Sequence, residues 1–281
     1  MVALFLSVAL VVAKAAETAE VDVREIVRRT VAADERNWQA ARRYEFTERV
    51  DARRLDGEGR VKTRDVNSYE VLLLAGTPYR RLSARDDQPL AASEEKKEAA
   101  KLTRSIAERG KESVGQRALR LAAYEGRSDW QRDGWRELPE AFDFVMTGRE
   151  ARDGQVLYVI EATPRRGYQA QSRTAKVFAH LHGKLWVDAE DYRLVKAEVE
   201  VVETIAVGLI LVRLIKGSRA TFEQARVNGQ VWLPRRVQVS ASARVGLLKV
   251  LRIEQEVLYS KGREVVGEAL VVSRLVTGGG K

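Results

Sequence analysis

The chain has only two histidines, His180 and His182. At i, i+2 spacing on a strand both imidazoles project from one face, which is how a zinc site can begin. A catalytic zinc needs a third protein ligand and an open position, and no acid stands at a recognisable motif spacing from the pair. A serine hydrolase needs its nucleophile on a strand-to-helix elbow, and the chain contains no G-x-S-x-G. It also has no cysteine, which removes disulfides, thiolate metal sites, a Cys nucleophile and the acylated Cys of a bacterial lipoprotein. Two carboxylates could converge for glycosidase-type chemistry, but nothing marks a pair. These residue types describe a binder rather than an enzyme, with no catalytic residue, metal or cofactor assigned.

The residues suited to binding are apolar and small. Val199 and Val201, with Ala197, alternate along one segment, and Val237 and Val239, with Ala241 and Ala243, along another. Leu209 and Leu211 lie in the apolar run 205–215, which reads as a buried strand, a membrane-touching lip or a cavity wall; Ile253 and Val257 complete the candidate lining. Aromatic residues make up only 7% of the chain, so a rolled sheet lined by these small side chains leaves room for an apolar guest.

Elements able to carry such a lining follow from periodicity. Apolar residues at Val23, Ile26, Val27, Val31, Trp38 and Ala41 form a 3.6-residue stripe behind Asp22, an N-cap residue, and predict an amphipathic helix over 22–43. Two long runs, 44–55 and 60–75, joined by Asp56-Gly57-Glu58-Gly59, predict a hairpin, and 79–84 a third strand. Ser93-Glu94-Glu95-Lys96 opens a charged helical insert over 93–123, broken near 110–115, and Leu138 to Phe142 reads as a short helix or turn that sets Phe142 and Phe144 toward the core. Strands return at 144–150, 155–163, 175–187, 193–205, 218–227, 231–243, 245–260 and 264–274. About ten strands with short turns imply a mainly β protein with flanking helices: a curved antiparallel sheet or incomplete β-barrel wrapping helices.

The ends and the charge bound the setting. Residues 2–12 are apolar or small, and Ala13-Lys14-Ala15 follows as an A-x-A site, so residues 1–16 read as a signal peptide. Such a run spans about 17 Å, short of a bilayer's hydrocarbon core of about 30 Å. Residues 17–281 then form a single domain, since no Pro/Gly/Ser linker divides them. Net charge is +9, or +8 without residues 1–15, which hold Lys14 and no acid. Basic residues are interspersed with acids and not interleaved with stacking aromatics, which argues against nucleic acid but permits transient contact with an anionic membrane surface.

The segments Phe142-Asp143-Phe144, Gly148, Asp153-Gly154 and Glu161-Ala162-Thr163-Pro164 resemble bacterial envelope proteins of the LolA/LolB-like superfamily, the outer-membrane lipoprotein-sorting proteins. Gly183-Lys184-Leu185-Trp186-Val187-Asp188, leading into Tyr192 to Glu198, resembles that superfamily's Trp-apolar-Asp, turn, strand segment; Gly217-Ser218 and Val231-Trp232-Leu233-Pro234 extend the likeness. The resemblance implies an incomplete antiparallel barrel closed by helices around an apolar cavity for acyl chains; the apolar N-terminal segment and the absence of cysteine make the chain a periplasmic protein without a lipid anchor. The resemblance also implies a lipid or lipid-modified protein as partner, carried without covalent chemistry. The alternative is an envelope interaction or regulatory module of the same fold with no lipid cargo.

Overall fold

The computed structural model describes residues 22–207, 212–245 and 249–265. Residues 1–16, with the expected signal peptide, and the expected strand beyond Val265 lie outside them, as do Leu209 and Leu211.

Helix α1 (Val23–Ala41) begins where Asp22 folds its carboxylate back to accept from the Arg24 and Glu25 amides, at 3.0 and 3.3 Å. This satisfies donors that the first helical turn leaves free. Its buried stripe is Ile26, Val27, Thr30, Ala33 and Asn37. The hairpin β1 (Tyr44–Leu55) and β2 (Val61–Leu74) follows. Asp56 closes its turn by accepting from the Glu58 and Arg60 amides, both at 2.9 Å, and Gly59 supplies the left-handed φ of 84°. After β3 (Thr77–Arg85) and the two-residue β4 (Gln88–Pro89), the chain enters helices α2 (Ala92–Gly110) and α3 (Val114–Ala141). Ser113 and Gln116 cap α3 reciprocally in a capping box.

The second half runs through β5 (Phe142–Arg152), β6 (Gln155–Pro164), a 3-10 helix (Ala175–His180), β7 (Leu181–Asp188) and β8 (Leu194–Val201). It continues with β9 (Ile205–Val207), β10 (Val212–Leu214), β11 (Arg219–Val227), β12 (Val231–Val245) and β13 (Lys249–Glu264). The described strands make one antiparallel sheet in the order β4-β3-β2-β1-β13-β12-β11-β8-β7-β6-β5, with the β9-β10 hairpin attached to β12. It does not close: β4 and β5 stand at its two ends. Register shifts interrupt the ladder between Met146 and Gly148 on β5 and between Ser68 and Tyr69 on β2.

The sheet wraps helices on its inner face. Ile26 and Val27 of α1 and Leu138 and Ala141 of α3 pack on Phe142, Ile160, Ala162, Leu185 and Ala197. Each of the larger side chains there contributes roughly 1.5–3 kcal/mol by leaving water. A smaller cluster on the outer face joins Leu157, Val159, Trp186, Val195 and Trp232, with Lys184 and Lys196 over the Trp186 ring.

Four expectations need correcting. The insert does not end at 123, because α3 continues to Ala141 and absorbs the segment read as a short helix; Pro139 falls within its last turn. Residues 175–187 are not one strand, since Ala175–His180 is a 3-10 helix. The run 205–215 is no single strand: β9 and β10 pair antiparallel, Val207 with Val212 and Ile205 with Leu214. Near the C-terminal end β12 extends to Val245 and β13 spans Lys249–Glu264, where one strand was expected over 245–260; the described strands number thirteen instead of about ten.

Candidate binding face

Side chains directly opposite one another on paired strands project from the same face, so the register shows which candidates meet. Val50 pairs with Val257, Val257 with Val237, Val237 with Phe222, Phe222 with Ala197, Ala197 with Leu185 and Leu185 with Ile160. This apolar row crosses seven strands and ends in the cluster beneath α1 and α3. One step along the strands a second row runs Ala52, Gln255, Val239, Ala220, Val199, Gly183 and Ala162. It is built almost wholly of small side chains. A third, shorter row sets Arg54 opposite Ile253 and Ile253 opposite Ala241.

Six candidate residues, Val199, Val201, Val237, Val239, Ile253 and Val257, therefore share the inner face. Val201 and Val257 are buried, Val199, Val237 and Val239 half-buried, and Ile253 is 40% exposed. Burial falls away from the helices: the β6–β8 side is packed, while Ile253 and Leu251 on β13 remain open. Ala220 and Phe222 of β11, and Val50 and Ala52 of β1, complete the face but were not among the expected lining. The alternation Arg219, Thr221, Glu223 against Ala220, Phe222 is the signal that would have placed the β11 pair there.

Helix α1 is fixed over this face by a backbone clamp. The Asn37 amide donates to the Trp232 carbonyl at 2.7 Å and accepts from the Trp232 amide at 2.9 Å, both buried. Pairing of β12 with β13 begins only at Arg236, so at Trp232 the Asn37 side chain stands where a strand neighbour would. Arg132 and Arg136 of α3 reach Glu35 of α1 at 2.8 and 3.0 Å, and Arg132 lies over the Trp38 ring. Asp34, beside this contact, has its carboxyl pushed up chiefly by burial, against the pull of Arg193.

The outer face is an ion-pair lattice. A cavity of about 460 Å³ there is lined by Asp51, Arg53, Arg219, Arg236, Glu254 and Glu256 among others. Its charges engage one another: Arg64 with Asp51 at 2.6 Å, Arg236 with Glu256 at 2.6 Å, Arg53 with Glu254 at 3.8 Å. Hydrogen bonds from Arg64 and Arg53 hold the buried Asp51 carboxyl at about 2, below its usual 3.8. The histidines do not share a strand face: His180 ends the 3-10 helix, 3.3 Å from Glu203, while His182 lies on β7.

Along these rows the inner face is mostly apolar, with Gln255 and Arg54 as its polar members, and the outer face carries paired charge. The described strands form an open antiparallel sheet wrapped on helices, the fold class expected from the sequence. The chain matches no family model and no curated protein. Among solved structures it is similar to a DUF1329 family protein from Desulfovibrio piger, 11% identical over 87% of this chain and 94% of that one, with a TM-score of 0.33. It is also similar to a domain described as an outer membrane lipoprotein-sorting protein from Vibrio parahaemolyticus, 12% identical over 89% of this chain and 98% of that one, with a TM-score of 0.31. A LolA superfamily protein from Nitrosomonas europaea is 12% identical over 84% of this chain and 94% of that one, with a TM-score of 0.26.

Proposed function

We propose that this chain is an exported envelope protein that holds an acyl chain, of a lipid or of a lipid-modified protein, against the inner face of its sheet without covalent chemistry. One observation carries the reading: the small-residue row Val239, Ala220, Val199 and its neighbours continue the apolar floor beyond the part that α1 and α3 pack against. Each buried CH₂ stabilises by about 0.8 kcal/mol, so a chain of about sixteen carbons offers roughly 12 kcal/mol before ordering costs. Export rests on the apolar segment 2–12 and the A-x-A site after it. Among the described residues no helix is long and apolar enough to cross a membrane.

The test is native mass spectrometry of the chain from residue 17, purified without detergent, with organic extraction of what is bound. Stoichiometric phospholipid or acylated peptide is expected, lost in Val239→Asp on the inner face and kept in Glu200→Gln on the outer. An apo mass that stays apo after incubation with lipid vesicles overturns the reading in favour of a protein-interaction module; equal effects of the two substitutions overturn the face assignment.

A further inference from the structure

Three pairs of successive strands, β1-β2, β9-β10 and β12-β13, have their connected ends at the same end of the sheet. Their register fixes this, since Leu55 pairs with both Val61 and Arg252, and Val212 pairs with both Val207 and Val245, itself opposite Lys249. Five exposed cations stand at this end with no acid partner among the described residues: Arg54, Lys62, Arg213, Lys216 and Arg244. Most other described arginines are paired, as in Arg42 with Glu125, Arg226 with Asp191 and Arg263 with Glu45, although the exposed Arg36, Arg104, Arg127, Arg166, Arg173 and Arg235 have no ion pair among the described residues either. The acids near the five are mostly engaged already, Asp56 and Glu58 by Arg60, Glu254 by Arg53 and Glu203 by His180; Asp65 stands without an ion pair among the described residues.

Two further features point to what covers this end. Arg213 and Arg244 sit directly opposite one another in the β10-β12 ladder, a like-charge pairing that destabilises a sheet unless an anion bridges it. Aliphatic side chains are exposed among the cations: Val61 at 54%, Val250 at 44%, Ile253 at 40% and Leu251 at 38%. Val250 lies in the row of Arg244, while Leu251 lies on the inner face opposite Ala243. A free polyanion would be met by the cations alone. A bilayer surface takes both, headgroup phosphates on the cations and the acyl boundary on the aliphatics.

We infer that this end of the sheet docks on an anionic phospholipid bilayer, with the open margin of the inner face, at Leu251 and Ile253, turned toward the lipid. The inference rests on the acyl-chain reading above, since it supplies the margin through which such a chain would enter, but it is measured separately.

The experiment is vesicle sedimentation of the chain from residue 17 with phosphatidylglycerol–phosphatidylethanolamine vesicles, and with phosphatidylcholine vesicles for comparison. A cation near an anionic surface is worth about a fivefold factor in partitioning, so Arg213→Gln with Arg244→Gln should weaken binding to the anionic vesicles roughly 25-fold. Lys97→Gln with Arg104→Gln, exposed on α2, should change it less than about twofold, because screening confines the effect to charges within about 10 Å of the surface. Leu251→Ser should weaken binding without changing its salt dependence. Equal loss from both double variants, or equal binding to the two vesicle types, or no binding at all, overturns the docking end. Uptake of a fluorescent fatty acid, followed in the same variants, separates the two readings: retained uptake with no vesicle binding removes the docking end alone, and absent uptake with vesicle binding intact removes the acyl-chain reading alone.

Discussion

The Asn37 clamp can be broken with one substitution. Asn37→Ala removes an amide that meets both the carbonyl and the amide of Trp232, at 2.7 and 2.9 Å, in a buried setting. Each buried backbone group left without a partner costs about 1–3 kcal/mol, and the ladder offers no substitute because β12 joins β13 only from Arg236. The expected loss is about 3 kcal/mol. With a urea dependence of about 3 kcal/mol/M for a chain of this size, the unfolding midpoint should fall by about 1 M with the slope unchanged. Asn37→Asp should do at least as much harm at neutral pH, since a carboxylate accepts from the Trp232 amide but has nothing to donate to its carbonyl. Part of that loss should return on acidification, when the protonated acid can donate. Urea unfolding followed by tryptophan fluorescence reads both variants. A midpoint shift below about 0.2 M for Asn37→Ala would refute the reasoning, because it would mean that water replaces the amide at no cost and that α1 is held by its apolar stripe alone.

Two glycines of α3 should respond oppositely to alanine. Gly134→Ala places a Cβ 2.8 Å from Thr174 Cβ and should destabilise by about 1–3 kcal/mol despite its better helix propensity, whereas Gly126→Ala meets no atom within 4 Å and should stabilise by roughly 0.5–1 kcal/mol; thermal melts of the pair check this. Asp51→Asn tests the outer lattice: because the folded carboxyl titrates near 2, below its ordinary 3.8, its stabilisation is full above the upper value and lost as pH falls through the lower. The ceiling is about 2 kcal/mol; with Arg53 and Arg64 40% and 50% exposed, solvent screening reduces this to about 1 kcal/mol. Wild-type and variant stabilities should therefore differ at neutral pH and converge near pH 2, as urea midpoints across that range will show.

Local signals were strong where a single short segment decides the structure. Asp22 and the stripe behind it located α1, and Asp56 to Gly59 located the first hairpin, because capping and turn chemistry act within a few residues. The inner placement of Val199, Val237 and Val239 was legible from period-2 alternation. What escaped was set at longer range. Beyond Ala123, α3 carries Gly126, Gly134 and Pro139, weak helix formers, yet Trp135, Leu138 and Ala141 gain a core that local propensity cannot anticipate. Ala175–His180 has strand-like alternation but packs as a 3-10 helix against α3, where Gly134 lets Thr174 approach. The apolar run 205–215 gave no period to separate a strand from a hairpin. The Asn37 clamp had no signal at all, since an asparagine in a helical stripe says nothing of a carbonyl nearly two hundred residues away.

A sheet that never closes leaves two rows of backbone donors and acceptors that another copy could extend without limit, the geometry from which fibrils grow. Both ends are blunted. At one, β4 is only two residues long and is backed by Arg80, Arg81 and Arg85 on β3. At the other, the shift between Met146 and Gly148 interrupts the ladder midway along β5, and Arg149, Glu150 and Arg152 charge the length beyond it. An incoming strand would have to match an irregular ladder and bury those charges. The protein can thus keep its sheet open and yet resist edge-to-edge polymerisation, and replacing the charges on β5 should reveal itself first as aggregation and only afterwards as loss of fold.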